Sequence, residues 1–316
     1  MEHDVVVVGG GAAGLSAALV LARARRKVVV VDAGEPRNAP ARHLHGFLSR
    51  DGMAPGGLLD VGRDEVTRYG GVVAPDRVAG VDRDGGHGFV VRLEDGPDLV
   101  TRAVLVATGL RDELPDLPGV RERWGVDVLH CPYCHGHEVR DTPIAVVGGE
   151  NRPFTVHQAA LVRQWSDDVV FFPHRITLDD AERERFAARG VEVVDGDVAR
   201  IVVRDDRVRG VELADGRVVP RSAVFVGPRF TPADGLLTAL GCETGDNGWV
   251  VTDPTGRTSV PGVWAAGNVV DSPAQLISAA GAASKAAIAL NHHLLELDVE
   301  DAVAARRRAA GALPAR

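Results

Sequence analysis

This sequence has few aromatic residues, few cysteines and no long apolar stretch. Aromatic residues make up 4% of the 316 residues, and there are three cysteines. No apolar run is long enough to span a bilayer, so we expect no membrane insertion. Acidic residues outnumber basic ones by 44 to 36, which gives a net charge of −8. A chain with this charge is not expected to bind nucleic acid or an anionic membrane surface.

The first residues also lack the features of an export signal. Met1–Asp4 leads straight into a valine run, without a basic segment or a small-residue cleavage site. We therefore expect a cytoplasmic protein, in which a permanent structural disulfide is uncommon. At roughly 100–200 residues per domain, the length predicts two domains.

A glycine-rich turn near the N-terminus is typical of dinucleotide binding. Val5–Val8 predicts a buried parallel strand, because it is apolar on both faces. In the G-x-G-x-x-G pattern that follows, Gly9 permits a tight turn, Gly11 lets the backbone approach a pyrophosphate, and Gly14 lets helix and strand pack closely. The next strand ends at Asp32, whose carboxylate is placed to bind ribose hydroxyls. This motif alone does not separate FAD from NAD.

Two cysteines separated by two residues predict thiol chemistry. Cys131 and Cys134 are followed directly by His135 and then by His137. A C-x-x-C pair at a helix start lowers the pKa of one thiol, and the thiolate is the attacking species. Imidazole titrates near neutrality and can take the proton of an incoming thiol. The four residues are therefore the candidate catalytic group.

Other uses of these side chains fit less well. Cys131, Cys134 and His135 match the C-x-x-C-H pattern of c-type haem attachment, which would require export and a haem pocket. A zinc site that added His137 is sterically awkward, because adjacent residues rarely point at one ion. We therefore expect no metal site. Cys242 stands apart from the pair and predicts a small core or surface residue.

A second glycine-rich turn departs from the dinucleotide pattern. Pro143–Gly149 begins like a strand and turn, but Glu150 and Pro153 occupy the positions of the second glycine and the third small residue. A carboxylate repels a pyrophosphate, and proline removes an N–H donor. The following strand leads to a single arginine, Arg175, where proteins that select NADPH have several. We expect NADPH binding to be weak or lost, unless Glu150 turns aside.

Two further segments resemble signatures of flavoproteins with two dinucleotide-binding domains. Thr101–Gly109 is similar to their T-x4-ATG segment, and Thr258–Asn268 to their second FAD signature. Asn268 replaces the usual aspartate, but an amide can still hydrogen-bond a ribityl hydroxyl. An alanine-rich helix is predicted next, from Gln275 to Leu290.

Over essentially the whole chain, the sequence resembles the low-molecular-weight thioredoxin reductases. Within that family it is most similar to the FAD-dependent dithiol oxidases that close disulfides in dithiolopyrrolone and epipolythiodioxopiperazine natural products. The resemblance rests on Cys-Pro-Tyr-Cys-His-Gly in place of Cys-Ala-Thr-Cys-Asp-Gly, on the altered second turn, and on Val156–Ala159 after it. Asp32–Pro40 is also similar to that subgroup. The resemblance implies a homodimer and an α/β fold with two Rossmann-like dinucleotide-binding domains, built from three-layer sheets with β-meanders.

The FAD signals lie at both ends of the chain with the cysteine pair between them, which predicts a domain layout, and the resemblance implies a set of FAD contacts. An FAD-binding domain is predicted over residues 1–116 and 244–316, and an inserted NAD(P)-binding-like domain with the cysteine pair over 117–243. Alternating apolar residues around 72–106 and 201–219 predict a meander in each. His43 and His45 are both candidates to touch flavin or substrate. The implied FAD-binding residues are Gly9, Gly11, Ala12, Ala13, Gly14, Asp32, Ala33, Arg37, His45, Ala107, Thr108, Gly109, Gly267, Asn268 and Gln275.

In this family the second cysteine passes electrons to flavin, and the first exchanges with substrate. The resemblance therefore assigns these roles to Cys134 and Cys131, and it ranks His135 ahead of His137 as the base. The resulting prediction is a dithiol oxidase: a small-molecule dithiol reduces the disulfide, and electrons pass to FAD and then to O2, giving H2O2. One alternative is a thioredoxin reductase supplied by NADPH or ferredoxin. The other is a flavoprotein without catalysis that senses redox state or binds a partner.

Overall fold

The chain forms two compact units in the computed structural model, which describes residues 2–86 and 88–311. The first unit contains Met1–Arg37, Gly56–Leu110 and Pro232–Arg316, and the second contains Asn38–Pro55 and Arg111–Thr231. These divisions differ from the predicted ones at residues 116 and 244. Residues 38–55 in particular belong with the second unit, because their contacts are to residues far along the chain. Which nucleotide each unit binds stays a prediction.

The first unit is built on a seven-stranded sheet with the order β3-β2-β1-β6-β5-β4, with β17 beside β6. Strands β1, β2, β3, β6 and β17 pair in parallel, whereas β4, β5 and β6 form an antiparallel meander. The strands are β1 (His3–Val8), β2 (Val28–Asp32), β3 (Val72–Pro75), β4 (Val78–Arg83), β5 (Phe89–Leu93), β6 (Leu99–Val106) and β17 (Val263–Ala265). The helices are α1 (Ala12–Arg23), α2 (Pro55–Arg68), α7 (Gly235–Ala239) and α8 (Leu276–Gly311).

The central strand β1 is packed on both faces, as its valine run predicts. Val5 and Val7 lie in a core with α1 and α8, and Val6 and Val8 lie in a second core with β4, β5 and α7. Because successive strand side chains point to opposite faces, an unbroken apolar run suits only a strand covered on both sides. This packing fixes the turn after β1 at the sheet edge.

The second unit repeats this architecture around a five-stranded parallel sheet with the order β11-β10-β9-β15-β8. An antiparallel meander, β12-β13-β14, covers one face, and α5 and α6 cover the other. The strands are β7 (Leu110–Glu113), β8 (Val128–Leu129), β9 (Ile144–Val147), β10 (Val169–Phe172), β11 (Glu192–Val193), β12 (Val198–Arg204), β13 (Arg207–Leu213), β14 (Val218–Pro220), β15 (Ala223–Val226) and β16 (Arg229–Pro232). The helices are α3 (Val120–Arg123), α4 (Pro132–His135), α5 (Arg152–Val162) and α6 (Asp180–Ala188).

The predicted fold class is confirmed: each unit is a Rossmann-like three-layer arrangement with a β-meander. Among the helices of residues 2–86 and 88–311, none is both long enough and apolar enough to cross a membrane.

Candidate active site

Cys131 and Cys134 form a disulfide at the start of the short helix α4 in the second unit. Cys131 caps this helix, and its carbonyl accepts hydrogen bonds from the N–H groups of Cys134 and His135, each at 3.1 Å. Pro132 occupies the first turn, where no N–H donor is needed. Cys131 is buried, with 8% of its surface exposed, and Cys134 is half-buried. The turn therefore holds the two sulfurs together at a partly accessible place.

Close packing behind α4 fixes this turn. A Cβ atom on Gly136 would lie 2.6 Å from the Pro132 carbonyl oxygen and 2.7 Å from the Trp165 ring, so only glycine fits there. The Trp165 ring also meets the exposed Tyr133 ring edge-on, with centroids 5.8 Å apart. The Trp165 ring therefore packs against the redox turn.

His135 directly follows the second cysteine and lines a cavity in the second unit. Both ring nitrogens are buried and have no hydrogen-bond partner. Burial lowers the pKa of His135, and His45 lowers it further, while Glu138 acts in the opposite direction. Burial therefore favours the neutral form of the imidazole, in which one ring nitrogen has a lone pair.

The second predicted base, His137, has different surroundings. Its side chain is exposed, and its carbonyl accepts a hydrogen bond from Arg140 at 2.7 Å. Only His135 of the two lines the cavity.

Residues 38–55 bring a second imidazole to the redox turn. His45 Nε2 lies 3.5 Å from Glu138 Oε1, and its Nδ1 lies 3.3 Å from Asp51 Oδ1. The pKa of Asp51 is lowered, first by the Gly46 N–H group that donates to it at 2.9 Å and then by His45. His45, expected to contact FAD, is thus placed by the structure between two carboxylates within the second unit. Sequence spacing gave no sign of this contact.

The cavity beside His135 has a volume of about 620 Å³. Its walls come from residues 38–55, from the segment around α3 and β8, from the redox turn and from the β12–β13 turn. Arg123 is neutralised there by Asp127 and Asp206. The lining residues are Arg42, His43, His45, Arg123, Gly125, Val126, Asp127, Leu129, His135, Glu138, Val139, Asp205, Asp206 and Arg207. The space suits a small molecule with polar groups.

In the first unit, the predicted nucleotide cradle lies between β1 and α1. A Cβ on Gly14 would lie 1.8 Å from the Gly9 carbonyl oxygen, whereas one on Gly11 would meet no atom within 4 Å. Gly11 caps α1 without any side-chain hydrogen bond, so the helix presents its N-terminus to an open space. The Asp32 carboxylate accepts a hydrogen bond from the Gly10 N–H at 3.1 Å and one from Arg63 at 3.2 Å. These features fit the pyrophosphate and ribose of FAD.

The second predicted FAD signature packs against this cradle. A Cβ on Gly267, which has φ +79°, would lie 2.9 Å from the Ala13 Cβ, so the two segments touch. Asn268 Nδ2 donates to the carbonyl oxygens of Asp271, Ser272 and Ala274, at 2.9, 3.2 and 3.0 Å. An aspartate could not donate to these oxygens. Asn268, which departs from the family pattern, therefore holds this loop through hydrogen bonds that the usual aspartate could not donate.

The remaining predicted FAD residues lie around the same unit. Thr108 donates its hydroxyl to the Ala233 carbonyl at 2.7 Å, and Gly109 has φ +72°. Ala107 is buried, whereas Ala12, Arg37 and Gln275 are half-buried and Ala33 is exposed. Their contact with FAD stays a prediction.

The second glycine turn leads into α5. Glu150 and Arg175 are exposed, and Pro153 lies in the first turn of the helix. Arg152 is engaged locally, donating to Glu182 at 2.7 Å and to the Thr177 carbonyl at 3.2 Å. This arginine at the helix start is therefore held by a carboxylate, which sequence inspection did not reveal. Across the described part of the chain, no cluster of three or more His, Cys, Asp or Glu side chains is arranged to hold a metal ion.

A C-x-x-C disulfide in a protein with two dinucleotide-binding folds defines the class of flavoprotein-type disulfide oxidoreductases. Residues 3–286 match the pyridine nucleotide-disulphide oxidoreductase family. This chain belongs to that family, and it is a thioredoxin reductase-like thiol/disulfide oxidoreductase. Thioredoxin reductases of this kind typically bind FAD.

Individual relatives cover nearly the whole chain. Thioredoxin reductase sirT of Leptosphaeria maculans is 31% identical, over 94% of this chain and 95% of the relative. Thioredoxin reductase of Streptomyces coelicolor is 30% identical, over 95% and 96%. Among solved structures, HlmI is 60% identical with a TM-score of 0.94, over 98% of this chain and 97% of that one. An oxidoreductase from Agrobacterium tumefaciens is 36% identical with a TM-score of 0.87, over 93% and 99%.

Proposed function

We propose that this chain is an FAD-dependent dithiol oxidase that closes a disulfide in a small-molecule dithiol. The observation that carries the proposal is His135: a neutral imidazole with both nitrogens unpaired, next to the redox disulfide and facing a cavity. The reductase pattern has an acid at this position. A base there suits an enzyme that receives electrons from thiols, because an incoming thiol must lose its proton before it attacks.

The protons and electrons of the dithiol step can be accounted for with the chain's own residues. His135 takes a proton from one substrate thiol, and the resulting thiolate attacks Cys131 and breaks its bond to Cys134. The second substrate thiol then attacks the substrate sulfur of the mixed disulfide and gives its proton to the departing Cys131 thiolate, which frees Cys131 and closes the substrate disulfide. Two electrons and two protons have then moved from the substrate to the enzyme. FAD held by the first unit would supply the two-electron chemistry that links the reduced cysteine pair, through Cys134, to O2 and gives H2O2.

The cradle of the first unit would hold the FAD. The open N-terminus of α1 at Gly11 would bind the pyrophosphate, and Asp32 would bind the ribose. Glu150 and the arginine-poor segment at Arg175 support an oxidase over an NADPH-dependent reductase. A homodimer and a cytoplasmic location are part of the same proposal.

Oxygen uptake with a panel of small dithiols tests this function. We expect Cys131→Ser and Cys134→Ser to abolish uptake, and His135→Gln to lower kcat/KM by about 10²–10⁴-fold, the range for general base catalysis. The matched control is Cys242→Ala, at the buried cysteine outside the pair, which should leave the rate of uptake close to that of the parent enzyme. His137→Gln compares the two candidate bases: a smaller loss than in His135→Gln is expected, because the exposed His137 does not line the cavity.

A reductase would give the opposite pattern. No uptake with any dithiol, together with rapid NADPH-driven reduction of thioredoxin, would refute the oxidase proposal. Tightly bound flavin without turnover in either direction would indicate the non-catalytic alternative.

A further inference from the structure

A buried glutamine holds the peptide that enters the redox turn. Gln158 on α5 is 1% exposed, and its Nε2 donates to the carbonyl oxygen of His130 at 2.6 Å. His130 directly precedes Cys131. A carbonyl oxygen can only accept, so the amide nitrogen, and not the amide oxygen, must face it. The side chain therefore has one defined orientation.

The other end of this amide has no partner in the oxidised protein. Gln158 Oε1 is buried and accepts no hydrogen bond. Buried acceptors nearly always have a donor, so one without a donor requires an explanation, and a redox role is one of the known explanations. Because Oε1 and Nε2 share one carbon atom, Oε1 lies close to the same segment, where α5 packs against α4.

The redox state of the cysteine pair changes what this oxygen can bind. A disulfide has no hydrogen to donate, whereas the reduced pair carries S–H groups, which are weak donors. We propose that Gln158 is a positioning residue that stabilises the reduced Cys131–Cys134 pair. Its Nε2 holds the peptide before Cys131 by a hydrogen bond. Its Oε1 accepts a hydrogen bond from an S–H group that forms when the disulfide opens. The inference rests on the proposed redox role of the pair, but not on the substrate or on oxygen.

The equilibrium of the pair with glutathione tests this inference. Two glutathione molecules reduce the pair by thiol–disulfide exchange, leaving one oxidised glutathione and two protein thiols. Holoenzyme would be equilibrated without oxygen in buffers of varied glutathione ratio, and the thiols trapped by alkylation. Mass spectrometry of the peptide with Cys131 and Cys134 then gives the reduced fraction. We expect Gln158→Met to lower the equilibrium constant for reduction about fivefold, since one hydrogen bond changes an equilibrium by about 2–12-fold.

Gln164 provides the matched control, because it is exposed just past the end of α5. Gln164→Met should leave the equilibrium constant within about twofold of the parent value. A folded Gln158→Met enzyme with the parent melting temperature and an unchanged equilibrium constant would overturn the inference.

A second measurement uses the parent protein, in case Gln158→Met does not fold. The chain has three glutamines, Gln158, Gln164 and Gln275, so ¹³C-labelled glutamine gives a simple infrared difference spectrum on reduction. A carbonyl band should move to lower wavenumber on reduction, and this shift should persist in Gln164→Met and Gln275→Met. Absence of this shift in the carbonyl band would contradict the proposed contact.

The two proposals can fail separately. Absence of dithiol-driven oxygen uptake would refute the oxidase function but leave the glutathione equilibrium measurable. An unchanged equilibrium in Gln158→Met, beside rapid oxygen uptake by the parent enzyme, would refute only the role of Gln158.

Discussion

At the scale of single residues, Asn268 shows how a departure from a family pattern can be structural. Its amide donates to three carbonyl oxygens in the loop before α8. A carboxylate in the same place would face these oxygens with lone pairs only. The residue that is usual in the family would therefore not suit this loop.

Asn268→Asp should weaken the protein, although it restores the family residue. We expect the free energy of unfolding to fall by about 1 kcal/mol, the contribution of a typical hydrogen bond, because these carbonyl groups are only partly buried. FAD affinity should fall as well, measured by flavin fluorescence. Asn247→Asp is the matched control: Asn247 only accepts a hydrogen bond there, from the Trp249 N–H at 3.1 Å, and an aspartate can do the same. Tighter FAD binding by Asn268→Asp would show that this reading of the loop is wrong.

His135 should make the stability of the protein depend on pH. Burial lowers its pKa from the ordinary value of 6.5, so below that pH the unfolded chain binds a proton that the folded chain does not. The stability associated with the neutral imidazole is therefore present above pH 6.5 and is lost as the pH falls towards the lowered pKa. Urea unfolding at pH 5–8 should show a smaller loss on acidification for His135→Gln than for the parent. The comparison variant is the exposed His137→Gln, and equal pH slopes for all three proteins would contradict the expectation.

At the scale of elements, α8 is much longer than its sequence pattern predicts. The alanine-rich segment ends at Leu290, but the helix continues to Gly311. Ion pairs from Asp298 to Arg26 and Arg102, both at 2.7 Å, hold this extension. These partners lie on distant parts of the chain, so local propensity could not reveal them.

Asp298→Asn should therefore loosen the second half of α8. We expect a loss of about 0.5–1 kcal/mol at neutral pH, a modest value because the carboxylate is partly exposed. The two arginines lower the pKa of Asp298 from its ordinary value of 3.8, so the effect should vanish as the carboxyl is protonated in acid. Hydrogen exchange of the amides beyond residue 290 provides the measurement. Glu296→Gln, at an exposed position on the same helix, is the control, and equal exchange in both variants would rule out this role for Asp298.

At the scale of the whole molecule, the repeated dinucleotide fold was predictable, whereas the side-chain partners were not. The unbroken apolar run Val5–Val8 predicts a strand that is buried on both faces. The spacing of the glycines after it predicts the turn. Contacts such as His45–Glu138 and Gln158–His130 join residues separated by 93 and 28 positions. No periodic pattern links such residues, so the different surroundings of His135 and His137 could not be predicted from the sequence, and their ranking as bases stays a prediction.

The two cradles should behave differently towards nucleotides. We expect anaerobic stopped-flow mixing with NADPH to bleach the flavin only slowly, because Glu150 occupies the second glycine position and Arg152 is held by Glu182. Under the proposed function a small dithiol would reduce the flavin through the cysteine pair, so it should bleach the flavin within the same experiment and serves as the positive control. Rapid bleaching by micromolar NADPH would refute the expected loss.

The allocation of residues 38–55 to the second unit has a practical consequence for recombining this protein with its relatives. A chimaera that exchanges residues 111–231 alone would take Glu138 away from the histidine that faces it. A transplant of the whole second unit needs two separate pieces of chain, one of which, residues 38–55, lies in sequence between two segments of the first unit. Crossover points chosen from sequence order alone would take the two pieces of the second unit from two different parent proteins.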